Sequence, residues 1–84
     1  MYESQVKVGY FANMHKLHTS VETRLLDLLS ELGELAKEVL KSSAYGQQPF
    51  TQTDGWADEL GDVYFALLCL ADPTEVDLEA ALDA

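Results

Sequence analysis

Four acids in two echoing segments could together hold a hard cation. Residues 30–35 read Ser-Glu-Leu-Gly-Glu-Leu, and residues 58–63 read Asp-Glu-Leu-Gly-Asp-Val. Each segment carries an acid, a leucine, a glycine and a second acid three residues after the first. Positions three apart share one face of a helix, so Glu31 with Glu34, and Glu59 with Asp62, would each aim two carboxylates the same way. Carboxylates gathered out of water cannot all stay ionised without a counter-charge. The chain has five Lys and Arg against fifteen Asp and Glu, and no Lys or Arg follows Lys41. An all-oxygen ligand set suits Mg²⁺, or Mn²⁺, rather than zinc. Such an ion neutralises phosphate charge and activates water. A single Glu pair is ordinarily a wetted helix face. Two pairs of matching spacing, one of them within an apolar helix, point to a metal.

The elements that must position these acids are helices. Leu25, Leu28, Leu29, Leu32, Leu35, Ala36, Val39 and Leu40 recur at helical spacing with no proline among them, which predicts a helix reaching Ser42. Thr19 with Glu22 three residues on is a capping-box signature for its start. Residues 42–53, rich in Ser, Gly, Gln and Pro, read as a loop. Thr53 is the expected cap of a third helix from Asp54 to Ala71, and Asp72-Pro73 ends it. Leu60 to Ala71 is apolar on nearly every side, the mark of a buried helix. At about 100° per residue, Glu59 and Asp62 leave that helix about 60° apart. Looser spacing predicts a first helix from Tyr2 to about His15, and Asp77 or Thr74 caps a short last one from Leu78 to about Asp83.

No segment alternates like a half-buried strand, so the expected fold is all-α, a small bundle of about four helices forming one domain over residues 1–84. Gly33 and Gly61 each cost a helix interior about 1 kcal/mol against alanine; close approach of two helix backbones beside the acids is the expected reason. Tyr64, Phe65, Leu67 and Leu68 exceed what one small domain covers by itself, which predicts surface shared with a second subunit. Oligomerisation would complete the bundle. Cys69, in an apolar stretch, reads as a small hydrophobe.

Charge narrows the partners. The formal net charge is −10, and nine acids but no Lys or Arg follow Ser42. Such a surface repels nucleic acid, and it would repel a phosphorylated ligand unless a cation stood between. No run of about 18 apolar residues suggests a membrane span. A lone cysteine and a start lacking the charged-then-apolar pattern of a signal sequence predict the cytoplasm.

The pattern Glu31-x-x-Glu34, 24 intervening residues (35–58) and Glu59-x-x-Asp62 resembles the signature of MazG-like all-α nucleotide pyrophosphohydrolases. So do Leu-Gly-Glu-Leu-Ala (32–36), Glu-Leu-Gly-Asp-Val (59–63) and Val-Asp-Leu-Glu-Ala-Ala-Leu (76–82), and the likeness runs from about Arg24 to Leu82. The resemblance implies Mg²⁺-dependent hydrolysis of a nucleoside or deoxynucleoside triphosphate to monophosphate and pyrophosphate, with nucleotide-pool cleaning as a role. It implies Glu31, Glu34, Glu59 and Asp62 as metal ligands in a homodimer or homotetramer. Glu38, one turn after Glu34, is the candidate to position and deprotonate water, against a plain solvated acid.

Two departures matter. Ser30 stands where many relatives carry a further Glu, and the basic stretch that often follows the last helix has no counterpart. Phosphate contacts then fall to Lys37, Lys41 and Arg24, or to a partner subunit. Trp56, one turn before Glu59, is a candidate to stack on a nucleobase, although core or interface packing is its commoner use. His15 and His18 lie where relatives place base-contacting residues, yet they also read as ordinary exposed histidines. Two other readings stay open: a phosphoribosyl-ATP pyrophosphohydrolase-like enzyme, and a helical dimerisation module whose acids are structural.

Overall fold

The computed structural model describes residues 2–15 and 19–84; His18 lies outside them. The described residues form α1 (Tyr2–Met14), α2 (Val21–Ser42), α3 (Trp56–Ala71) and α4 (Leu78–Asp83), with a 3-10 turn over Asp72–Thr74 between the last two. No strand occurs among them, and the fold is an all-α bundle.

The long α2 begins one residue later than Thr19 and Glu22 suggest. Ser20, in extended conformation, is the cap: its hydroxyl oxygen accepts from the Thr23 backbone N–H at 3.1 Å and donates to the Thr23 hydroxyl at 2.9 Å. Either hydroxyl residue could cap, and serine outranks threonine there. At its far end, Ala44, Tyr45 and Gly46 all take left-handed backbone angles (φ 48°, 59° and 84°). The buried Ser43 holds this turn by accepting from the Gly46 N–H at 3.1 Å.

The start of α3 also differs from expectation. It begins at Trp56 behind Gly55, and no side chain caps it. Thr53 is diverted: its hydroxyl donates to Glu38 Oε2 at 3.0 Å, fifteen residues back on α2. Asp72-Pro73 closes α3 as the sequence indicates, and Asp77 caps α4 by accepting from the Glu79 and Ala80 N–H groups at 3.0 and 3.2 Å. One side-chain amide ties the ends of the chain together. Gln5 donates to the Val76 carbonyl at 2.7 Å and accepts from the Leu78 N–H at 2.8 Å.

α3 is the centre, packed chiefly on α2 and then on α1. Among the described residues, Ala12, Ala66, Leu68, Cys69 and Ala71 make up the buried apolar core. The rest of α3 is not the wholly buried helix its composition predicts. Leu60, Tyr64 and Phe65 stay 37–44% exposed, because α1 and α2 cover only part of its circumference. Leu68, expected at a shared surface, is buried by its own chain at 2% exposure. The shape is long: the radius of gyration is 14.9 Å, against about 12 Å for a compact domain of this length.

The two glycines beside the acids are not there for close backbone approach. A Cβ on Gly33 or Gly61 would meet nothing within 4 Å. The close approach is at Gly9 instead, where a Cβ would stand 2.5 Å from Asp72 Oδ1. Gly33→Ala therefore relieves a helix penalty without a clash, and should raise the melting temperature by about 4–8 °C for about 1 kcal/mol. Calorimetry checks this, and a drop would place another chain's backbone against Gly33.

Candidate metal centre

α2 and α3 run antiparallel, as three pairings along them show. Glu38 meets Thr53 just ahead of α3, Glu31 meets Glu59 and Asp62, and Arg24 shares a cleft with Cys69. The midpoint of this ladder is acidic. One carboxylate oxygen each from Glu31, Glu59 and Asp62 lies within 4.8 Å of the others. Glu31 and Glu59 are half-buried and Asp62 is exposed, so the cluster sits at the edge of the helix pair rather than inside it. The acids are less withdrawn from water than the apolar run of α3 predicts: without cover on the far side of α3, water reaches the group.

Glu34 does not join the three. It is exposed, and its Oε1 lies 3.8 Å from Lys37 Nζ, one turn along α2. Its charge is still felt. The Glu59 carboxyl is pushed above the ordinary glutamate value, first by loss of hydration at the helix junction and then by Asp62, Glu34, Glu38 and Glu31. Four neighbouring acids thus act on one carboxyl, a demand for positive charge.

The other candidates separate by position. Arg24 lies in a cleft of ≈ 360 Å³ whose walls include Asp27, Glu31, Asp62 and Phe65, with the buried Cys69 in its floor. The Arg24 side chain is 15% exposed, with Nη1 at 3.8 Å from Asp27 Oδ2. Lys37 is turned to Glu34, and Lys41 is exposed near the end of α2. The Trp56 ring is tilted 56° against Phe50 at a centroid distance of 4.9 Å, one turn before Glu59. His15 packs its ring on Phe11, 4.4 Å between centroids. Burial raises the Cys69 thiol above its ordinary value, partly offset by the Arg24 charge, so it is a thiol and not a thiolate at neutral pH.

Thr53, which fixes Glu38, and Phe65, which walls the cleft, went unrecognised in the sequence as parts of this site. Phe65 had a usable signal, standing three residues after Asp62 and so on the same flank of α3. Thr53 had none, since its partner is on another helix.

The family model for the MazG nucleotide pyrophosphohydrolase domain matches residues 19–84. The uncharacterized protein YpjD of Bacillus subtilis (strain 168) is 38% identical over 85 aligned residues, spanning 98% of this chain and 68% of the relative. No solved structure matches significantly.

Proposed function

The chain belongs to the MazG nucleotide pyrophosphohydrolase family, and from that premise we propose that it hydrolyses a nucleoside or deoxynucleoside triphosphate to the monophosphate and pyrophosphate, using Mg²⁺ or Mn²⁺. The observation that carries this reading is the convergence of Glu31, Glu59 and Asp62 oxygens within 4.8 Å. The donor set fits a hard divalent ion: all oxygen, formally triply negative, with Glu59 held above its ordinary value by loss of hydration and then by its acidic neighbours. Glu34 completes the set by turning from Lys37. When bound, the ion neutralises charge on the phosphates as the anhydride breaks.

The remaining roles belong to the chain's own side chains. Glu38, steadied by Thr53 at 3.0 Å, accepts the proton of the attacking water. Arg24 faces the phosphates from the cleft it shares with Glu31 and Asp62, and Lys37 and Lys41 add positive charge along α2. Residues 1–84 act as one domain, because α1 packs on α3 and Gln5 joins α1 to the start of α4. A homodimer or homotetramer is the working form. Leu25, Leu26 and Leu29 stand 54–65% exposed on α2, more apolar surface than a monomer leaves to water.

A panel of ribo- and deoxyribonucleoside triphosphates together with phosphoribosyl-ATP, assayed for pyrophosphate release with Mg²⁺ and with excess chelator, tests the function. Mg²⁺-dependent release from at least one common nucleotide is expected. Release only from phosphoribosyl-ATP would move the substrate, and release from none would leave a helical interaction module.

A further inference from the structure

Asp27 lines the acidic cleft beside Glu31 and Asp62 but stands outside the group those two form with Glu59. On α2 it comes three residues after Arg24 and four before Glu31. All three therefore share one flank of the helix, each a turn from the next. At 1.5 Å per residue, Arg24 and Glu31 are about 10.5 Å apart along the axis, with Asp27 between them.

The charges of this flank point different ways. Glu31 turns an oxygen to Glu59 and Asp62, within 4.8 Å of both. Arg24 sets its Nη1 at 3.8 Å from Asp27 Oδ2. The Arg24 side chain is 15% exposed and that of Asp27 57%, so the cation lies within the cleft and the acid meets it from the mouth. Arg24 is felt as far as the floor, where its charge partly offsets the rise that burial gives the Cys69 thiol.

This placement answers a conflict built into the cleft. A guanidinium fork matches a carboxylate, and swung towards Glu31 and Asp62 it would compete with a divalent ion for the same oxygens. An ion pair open to water on one side adds little to stability. Its effect lies in where it holds the guanidinium. We propose that Asp27 is a positioning residue: it keeps Arg24 at the side of the cleft, so that Glu31 and Asp62 stay open to a cation and the guanidinium stays available to phosphate. The inference rests on the metal-dependent hydrolase reading above and adds what holds its two kinds of charge apart.

Melting temperature across a Mg²⁺ titration, with no nucleotide present, reads Mg²⁺ affinity in the natural chain and its variants. Asp27→Asn should weaken Mg²⁺ binding about threefold or more, the scale of coupling within one ion-pair network, because Arg24 then settles on Glu31 and Asp62. Loss of a nearby negative charge would weaken it too, so the double variant decides. In an Arg24→Gln background, Asp27→Asn should change Mg²⁺ binding little. Asp27→Glu, which keeps the charge, should bind Mg²⁺ as the natural chain does. Should Arg24→Gln not fold, Arg24→Met keeps the apolar stem without the charge and takes its place. Equal weakening by Asp27→Asn in both backgrounds would make Asp27 a mere distant charge and overturn the proposal, and no weakening in the natural background would do the same. A natural chain whose melting does not respond to Mg²⁺ overturns the metal centre and this proposal together. A Mg²⁺ response without turnover of any nucleotide overturns the hydrolase reading alone, and the comparison of the two backgrounds still decides the role of Asp27.

Discussion

Glu59→Gln is expected to lower pyrophosphate release by about 10²-fold or more, the order lost when one preorganised charge-stabilising group is removed, while the helical fold persists. The substitution keeps the size of the side chain and removes its charge from the group formed with Glu31 and Asp62. Stability of the metal-free protein should move the other way. Glu59 has its folded value raised above the ordinary 4.5, so its ionised form is the disfavoured one in the folded chain. That penalty is complete above the raised value, shrinks as pH falls through it, and is gone below the ordinary value. At neutral pH the variant should therefore melt higher than the natural chain without metal, and the two curves should draw together towards pH 4.5. Mg²⁺ should raise the natural chain's melting temperature and leave the variant nearly unmoved, the response fading as falling pH protonates Glu59. Near-natural turnover in Glu59→Gln would falsify the assignment of this carboxyl.

How far the sequence could be read depends on how local each determinant is. The span of α2 was plain because eight apolar positions repeat along it, and the end of α3 because Asp72-Pro73 forbids continuation by covalent geometry alone. Asp77 as the cap of α4 is equally local. The start of α3 was misjudged because the hydroxyl expected to cap it is taken by Glu38 on another helix. Sequence spacing carries no trace of such competition.

The candidate site divides in the same way. Two acids at a separation of three share a face, so Glu59 and Asp62 were legible as a pair, and α2 brings Glu31 to them. That the same logic fails to gather Glu34 follows from Lys37, also three residues away and of opposite charge. Burial was the least legible property. The apolar run of α3 announces an oily environment, but not whether its own chain or a neighbour provides it, and here Tyr64 and Phe65 remain partly open. The glycines mislead for a related reason. Gly9, on α1, is where the Asp72 side chain comes close, whereas Gly33 and Gly61 face open space.

Leu68→Ala should destabilise the protein by about 3 kcal/mol, within the usual range for a buried leucine, which corresponds to a drop of about 12–24 °C in melting temperature. Leu68 is 2% exposed, and among the described residues the buried apolar core is otherwise made of alanines and one cysteine. Leu29→Ala is the informative counterpart. At 64% exposure in the single chain it should cost almost nothing if α2 faces water, but the proposed oligomer predicts a loss on the scale of Leu68→Ala, dependent on protein concentration. Thermal melts of both variants across a dilution series, with mass by light scattering, separate the cases. A small, concentration-independent effect for Leu29→Ala would return that face to solvent. A small effect for Leu68→Ala would mean that α3 is held in place by contacts other than its own core.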